Sequence, residues 1–226
     1  MKKRQEKLIM ISVFFALALI GGGALFLTNH DYILLTVLIL LVVFAAIFYR
    51  TIFIGHEKVV KQMLDRVSLS KGGKVLAFTD GRVADLKMIG QCLEAPGKVT
   101  GASIWKDSIK EAKNEVADAR MADRVELVEA GMSNLPFANH EFDYVLLDTD
   151  LHHITPSIER GRALQEAIRV LKAKGTLVVI DSMLIDEYKL VLNNFGIRNL
   201  RVVETGFNGW IGGPWITRKL LIAKRS

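Results

Sequence analysis

FDYVLLDTDLHHITPSIERGRALQEAIRVLKAKGTLVVI, residues 142–180, is the stretch whose reading decides the fold. Tyr144–Asp148 (YVLLD) is a short apolar run rich in strand formers. Thr155-Pro156 then opens a helix, with the proline expected at its first position, where a missing N–H costs nothing. Leu164, Ala167, Ile168 and Leu171 recur at helical spacing and mark one buried stripe. Thr176–Ile180 (TLVVI) returns to a strand. Both strands are apolar without alternation, so both of their faces are buried. Two such strands joined by a helix make a parallel crossover unit.

The same rhythm extends outward on both sides. Upstream, after Gly72-Gly73, Lys74–Thr79 (KVLAFT), Lys98–Ile104 (KVTGASI) and Val125–Glu129 (VELVE) read as three further strands. Ser108 with Glu111 forms a capping box ahead of one of the intervening helices. Downstream, Tyr188, Val191, Leu192 and Phe195 define a helix that Gly196 stops at the position after the cap. Strands near Leu200–Thr205 and Ile216–Ala223 follow with no helix between them. Five strands separated by helices and two strands at the end predict a doubly wound, seven-stranded, mostly parallel sheet of Rossmann-like α/β class that closes with a hairpin. Ligands of such sheets sit at the carboxyl ends of the strands, near the switch point after the first one.

The N-terminal part is of another kind. Leu8–Thr28 and Tyr32–Tyr49 carry no charge, and at about 1.5 Å per residue each can cross a hydrocarbon core of roughly 30 Å. Asn29-His30-Asp31 between them is a hairpin tip. Lys2, Lys3, Arg4 and Lys7 precede the pair, Arg50, Lys58, Lys61 and Arg66 follow it, and the tip has neither lysine nor arginine. That asymmetry predicts a multi-pass cell-membrane protein with both termini cytoplasmic. Gly21-Gly22-Gly23 gives the first helix a small-residue face, read either as packing within the hairpin or as a homodimer contact. The expected organisation is a tail and two-helix transmembrane hairpin over 1–50, an amphipathic linker helix within 51–73, and a domain over 74–226. The expected partners are the lipid bilayer and a small or lipophilic substrate.

Charge and cysteine content narrow the function. The net charge of +6 includes no long basic run and no basic–aromatic interleaving, which argues against a nucleic-acid partner. Cys92 is the only cysteine, so neither an intrachain disulfide nor a thiolate metal site can form. No metal site is expected.

Several short motifs within 56–226 resemble the class I S-adenosylmethionine-dependent methyltransferases. Ala122-Asp123-Arg124-Val125-Glu126 is similar to that family's approach to its third strand. Asn134-Leu135-Pro136-Phe137 with Glu141-Phe142-Asp143-Tyr144-Val145 resembles its LPF…FD-V passage, and Leu151-His152-His153-Ile154 the segment after its fourth strand. Arg169-Val170-Leu171-Lys172 before Gly175 resembles its RVLKPGG turn. Asp186-Glu187-Tyr188 and the closing strand pair are similar to a membrane-attached bacterial branch.

The resemblance implies S-adenosylmethionine as cofactor and Thr79, Asp80, Gly81, Ser103, Ile104, Met132 and Ser133 as its contacts. The match is degenerate there. Val75-Leu76-Ala77-Phe78-Thr79-Asp80-Gly81-Arg82-Val83 keeps one glycine of the usual glycine-rich turn. Ser103 stands where an acid usually accepts the ribose hydroxyls, and Met132 where an acid usually meets the adenine amine. Each loss removes a charge-assisted hydrogen bond of roughly 1.5–3 kcal/mol.

Asp148, at the end of the fourth strand, is a candidate for orienting a nucleophile or the cofactor amine, with Asp150 beside it, and His152 is a candidate general base. His152 and His153 are adjacent and point apart, which disfavours one metal site using both. The implied function is methyl transfer to a small or lipophilic molecule at the cytoplasmic membrane face. The alternative is a catalytically inactive pseudoenzyme that serves as a tethered binding module.

Overall fold

The computed structural model describes residues 32–79, 82–103, 106–149, 151–211 and 215–225, without the side chains of 32–34, 51–53 and 106–108. The chain divides into two compact units, Met1–Ile54 and Gly55–Ser226.

In the first unit, helix α1 runs from Tyr32 to Phe53. Its Ile39, Leu40, Val42, Val43 and Phe44 are exposed, an apolar surface left uncovered by protein. The first segment of the expected hairpin, Leu8–Thr28, and the Gly21–Gly23 face lie outside the described residues. Among the described residues no single helix is long and apolar enough to cross a membrane. Leu35–Arg50, whose side chains are placed, reaches roughly 24 Å against a hydrocarbon core of about 30 Å. The hairpin therefore stands as an expectation from sequence and not as a structural finding.

The second unit is the sheet. Strands β1 (Lys74–Phe78), β2 (Lys98–Ser103), β3 (Val125–Glu129), β4 (Phe142–Leu147), β5 (Leu171–Asp181), β6 (Asn199–Glu204) and β7 (Lys219–Lys224) lie in the order β3-β2-β1-β4-β5-β7-β6. The first five are parallel, and β7 pairs antiparallel with both β5 and β6. The strand order reverses between β1 and β4, which opens the switch point there.

Alternation within each strand sends side chains to two separate cores. On one face, Val75 and Ala77 of β1 pack with Val59, Val60 and Met63 of α2 (Gly55–Val67), and with Leu86 and Ile89 of α3 (Val83–Gln91). Ala112 and Val116 of α4 (Lys106–Asp118) complete that layer. On the other face, Leu76 and Phe78 pack with Leu164, Ala167 and Ile168 of α5 (Ser157–Val170), and with Tyr188 and Leu192 of α6 (Ile185–Asn194). A fully buried leucine such as Leu76 or Leu164 contributes about 1.5–3 kcal/mol.

Three local expectations change. The helix expected to link membrane and domain is built into the domain, because its apolar stripe is buried against the sheet. Pro156 is the cap of α5 rather than its first residue, with extended backbone. β5 begins at Leu171, directly after α5, with a register shift opposite Phe142 and Tyr144, so the expected turn around Lys172–Gly175 is strand. Gly196 is where the sequence placed it, at φ +82° just past Phe195, the cap of α6. In β2, a Cβ on Gly101 would lie 2.5 Å from a Leu86 methyl, so a glycine there lets α3 approach the sheet.

Two of the motifs explain each other. Arg169 Nη1 and Nη2 donate to the Phe137 and Leu135 carbonyls, at 2.8 and 3.0 Å. Glu166 accepts from Leu135 N–H at 2.8 Å and pairs with Arg169. The Arg169 hydrogen bond, working against some desolvation, holds the Glu166 carboxyl below the usual range. The arginine of one motif thus clamps the loop of the other.

Candidate functional site

The carboxyl ends of β1, β2 and β4 bring together part of the expected set. Thr79 and Ser103 are buried and line one narrow crevice with Leu86, Gly101 and Ala102. Met132 follows β3, packs against the core and receives the Thr149 hydroxyl at its sulfur, 3.5 Å away. Ser133 is half-buried in the turn that Gly131 and Asn134 close. Asp80, Gly81, Ile104 and Asp150 lie outside the described residues, as does the Ser108 side chain of the expected capping box.

Asp148 is buried at the switch point, and its neighbours escaped the sequence reading. His56 Nε2 lies 2.8 Å from Asp85 Oδ2 and 3.2 Å from Asp148 Oδ2. Arg82 places Nε 2.8 Å from Asp85 Oδ2, and Nη2 at 3.0 Å from the Asp148 carbonyl and 3.2 Å from Oδ2. Arg218 Nη1 donates to His56 Nδ1 at 3.1 Å.

Burial disfavours the imidazolium of His56, but the close carboxylates of Asp148 and Asp85 outweigh it and hold its pKa above the ordinary value. The positive charge of Arg82 opposes that gain. Burial also disfavours the Asp148 carboxylate; the adjacent His56 and the charges of Arg82 and Arg218 prevail and hold its pKa below the usual range.

His56, Asp85 and Asp148 have the composition of a cation site, with ligand atoms within 4.8 Å of one another. Two guanidiniums already balance the carboxylates, so a metal ion would have to displace them.

One atom of this cluster bears on the cofactor. Asp148 Oδ2 is buried and close to two cations, yet aligned for a good hydrogen bond with neither. A carboxylate oxygen with spare acceptor capacity suits the ammonium group of an amino acid. Ser103 offers a hydroxyl for a ribose oxygen, and Met132 an apolar, polarisable side chain for an adenine face. The described donors fit the cofactor that the sequence motifs imply, without the charge assistance an acid at Ser103 would add.

A second cluster lies one turn further along, at the carboxyl end of β5. Asp181 is fully buried. Its Oδ1 accepts from His152 Nδ1 at 2.5 Å, Ser182 N–H at 2.6 Å and Met183 N–H at 3.1 Å. Its Oδ2 accepts from Tyr188 Oη at 2.8 Å and His152 N–H at 3.1 Å. Burial and the neighbouring carboxylate push the Tyr188 hydroxyl far up, so it remains a donor. Glu187 and Arg160, paired at 2.9 Å, hold α6 to α5, and Arg160 also donates to the Ile154 carbonyl. His152 and Asp148, both singled out in the sequence, therefore belong to different clusters. The signal for the second was present in Asp186-Glu187-Tyr188, but the sequence did not disclose that Tyr188 reaches back to Asp181.

Comparison with known proteins agrees with this architecture. A family model described as a methyltransferase domain matches residues 80–179. The ubiquinone/menaquinone biosynthesis C-methyltransferase UbiE of Hahella chejuensis is 29% identical over 118 residues, covering 52% of this chain and 46% of that protein. The demethylmenaquinone methyltransferase of Lactiplantibacillus plantarum is 29% identical over 127 residues, covering 56% and 52%. The chain thus spans about half the length of the curated relatives it matches. Among solved structures, a SAM-dependent methyltransferase from Aquifex aeolicus superposes with a TM-score of 0.61 at 20% identity, over 74% of this chain and 89% of that one. Geranyl diphosphate C-methyltransferase from Streptomyces coelicolor gives 0.60 at 12%, over 76% and 79%.

Proposed function

Since the chain belongs to the class I S-adenosylmethionine-dependent methyltransferases, we propose that it transfers a methyl group to a lipophilic acceptor, a reduced quinone in character, at the cytoplasmic face of a membrane. The observation that carries the activity is Asp148: a buried carboxylate at the switch point with acceptor capacity to spare, beside the Thr79–Ser103 crevice. When bound, the cofactor supplies an electrophilic methyl on a sulfonium. Asp148 would hold its ammonium, Ser103 its ribose and Met132 its adenine, and the sheet fixes these groups on rigid strand ends.

Two features support a lipophilic acceptor and a membrane location. Leu8–Thr28 and Tyr32–Tyr49 are uncharged, and the described side chains of α1 expose isoleucine, leucine, valine and phenylalanine. Beyond β5, exposed Met183, Trp215 and Ile216 line a groove at the same end of the sheet as the cofactor crevice. The quinone character comes from the named relatives.

Calorimetry of the full chain in detergent, titrated with S-adenosylmethionine and its demethylated product, tests the cofactor. Binding at micromolar to submillimolar concentration is expected, and silence at millimolar ligand would instead favour the pseudoenzyme. Labelled-methyl incorporation into a decyl hydroquinone, with the chain in vesicles or free of them, tests acceptor and location.

A further inference from the structure

The buried Asp181 at the end of β5 collects five donors, and one of them is an imidazole ring. The backbone N–H groups of Ser182 and Met183 would tie down the β5–α6 turn by themselves. The ring of His152 adds something else. Its Nδ1 and its own backbone N–H both bind the same carboxylate, at 2.5 and 3.1 Å, so ring and main chain are fixed together. A carboxylate facing Nδ1 places the ring proton there and leaves the lone pair on Nε2. Nε2 has no hydrogen-bond partner among the described residues, and the side chain is 15% exposed. His153 lies against it, with ring centroids 4.1 Å apart, so the two rings do not point apart as the sequence suggested: Leu151–His153 is a tight 3-10 turn. Leu151–His153 is the turn that follows β4, so His152 stands at the strand end where the acceptor of a switch-point ligand must approach.

Resting on the methyl-transfer reading above, we infer that His152 is the general base for an acceptor whose nucleophile must first lose a proton, the hydroxyl of a phenol or hydroquinone. Asp181 and Tyr188 are positioning residues that act through it. The acceptor O–H bond breaks, its proton passes to Nε2, and its electron pair stays on oxygen or moves onto the conjugated ring. The oxygen or ring carbon then forms a bond to the methyl carbon while the carbon–sulfur bond breaks and its pair goes to sulfur, leaving a neutral thioether. Methylation at carbon gives a ring ketone, which rearomatises by losing the displaced ring proton to water while its oxygen takes a proton back, so the net release is still one proton. The imidazolium returns its proton to solvent, so each turnover delivers one methyl and releases one proton. An amine already neutral at working pH, or a thiolate, would need none of this.

The test uses the full chain in detergent, labelled with 15N-histidine, and decyl hydroquinone as acceptor. Long-range proton–nitrogen spectra should show His152 with its proton on Nδ1, and Asp181→Asn should disturb that tautomer. His152→Gln should lower kcat by about 10²–10⁴-fold and abolish the acid limb of the pH–rate profile, with KM and cofactor Kd unchanged within about twofold. Tyr188→Phe should shift the His152 resonances while kcat falls by less than about tenfold. A proton on Nε2, or a glutamine variant with near-normal kcat and an unaltered acid limb, overturns the inference. So does a wild-type chain that binds cofactor and methylates a neutral amine or a thiol but not the hydroquinone. A wild-type chain that shows no cofactor binding by calorimetry overturns the underlying reading instead, and the inference with it.

Discussion

His56 and His152 are both built against aspartate, and the two arrangements differ in what they leave open. His56 stands among two carboxylates and two guanidiniums, with both ring nitrogens engaged. Charge there is shared: Asp85 and Asp148 each face both His56 and Arg82, so either can lose one partner and keep another. His152 faces a single carboxylate, which in turn serves five donors, and one ring nitrogen remains unengaged among the described residues. The first arrangement is a latch that joins α2, α3, β4 and the segment before β7. The second is a hub, and its remaining imidazole nitrogen is the one inferred above to meet the acceptor. Equal residue types thus differ in how many partners each nitrogen has.

The difference is broken most severely at the hub. Asp181→Ala removes an acceptor that five donors share, including the fully buried Tyr188 hydroxyl, and should destabilise the chain by about 3–5 kcal/mol. Asp85→Ala removes one member of a shared network and should cost only about 1–3 kcal/mol. Urea denaturation of both variants in detergent measures the contrast; equal losses would mean that the latch is no more redundant than the hub.

The next effect belongs to the cofactor crevice. Ser103→Asp restores a bidentate acceptor at the end of β2 and should tighten cofactor binding by about 1.5–3 kcal/mol, tenfold or more in Kd. An unchanged or weaker Kd by calorimetry would place the ribose away from Ser103.

Acid and base separate two members of the latch by sign. Asp148 has a lowered pKa, so its stabilisation is complete above the ordinary 3.8 and is lost as pH falls through the folded value. His56 has a raised pKa, so its contribution is complete below 6.5 and is lost as pH rises through the folded value. The latch should therefore be strongest between these two limits. Asp148→Asn should flatten the acid slope of unfolding free energy, and His56→Gln the slope above neutrality. Slopes that survive both substitutions would assign the dependence to other groups.

Sequence and structure agree where local pattern decides. The strand–helix alternation from β1 to β5, the closing antiparallel pair and the turn at Gly196 all follow from periodicity and composition, because each rests on a few consecutive residues. The site was legible only in part. Thr79, Ser103 and Met132 sit at strand ends, and strand ends can be read along a chain. The partners of Asp148 cannot: His56 is separated from Asp85 by 29 residues and from Arg218 by 162. Only the packing of α2 onto the sheet brings them together, and the amphipathic stripe of α2 read equally well as a free linker. Asp181 was hidden for another reason. It ends an apolar strand, where a carboxylate looks like an ordinary turn residue until its five donors are seen.

The smallest effect gives the sharpest test of the hub. Tyr188→Phe deletes one hydroxyl without opening a cavity, and the Asp181 carboxylate keeps its four nitrogen donors. The ring remains fully buried against α5 and the sheet, so its apolar contribution is unchanged. What is lost is a single hydrogen bond at 2.8 Å to a carboxylate, and the expected cost is about 1.5 kcal/mol, the low end for a charged acceptor because four donors remain. Because burial and the carboxylate push the tyrosine hydroxyl so far up, it remains protonated throughout the range in which the fold survives. The loss should therefore be the same at every pH, and the stability curves of Tyr188→Phe and wild type should run parallel, unlike those of His56→Gln. A gap that widens with pH, or a loss well above that expected, would show that this hydroxyl is not one donor among several. The hub would then lack the surplus of donors that distinguishes it from the latch.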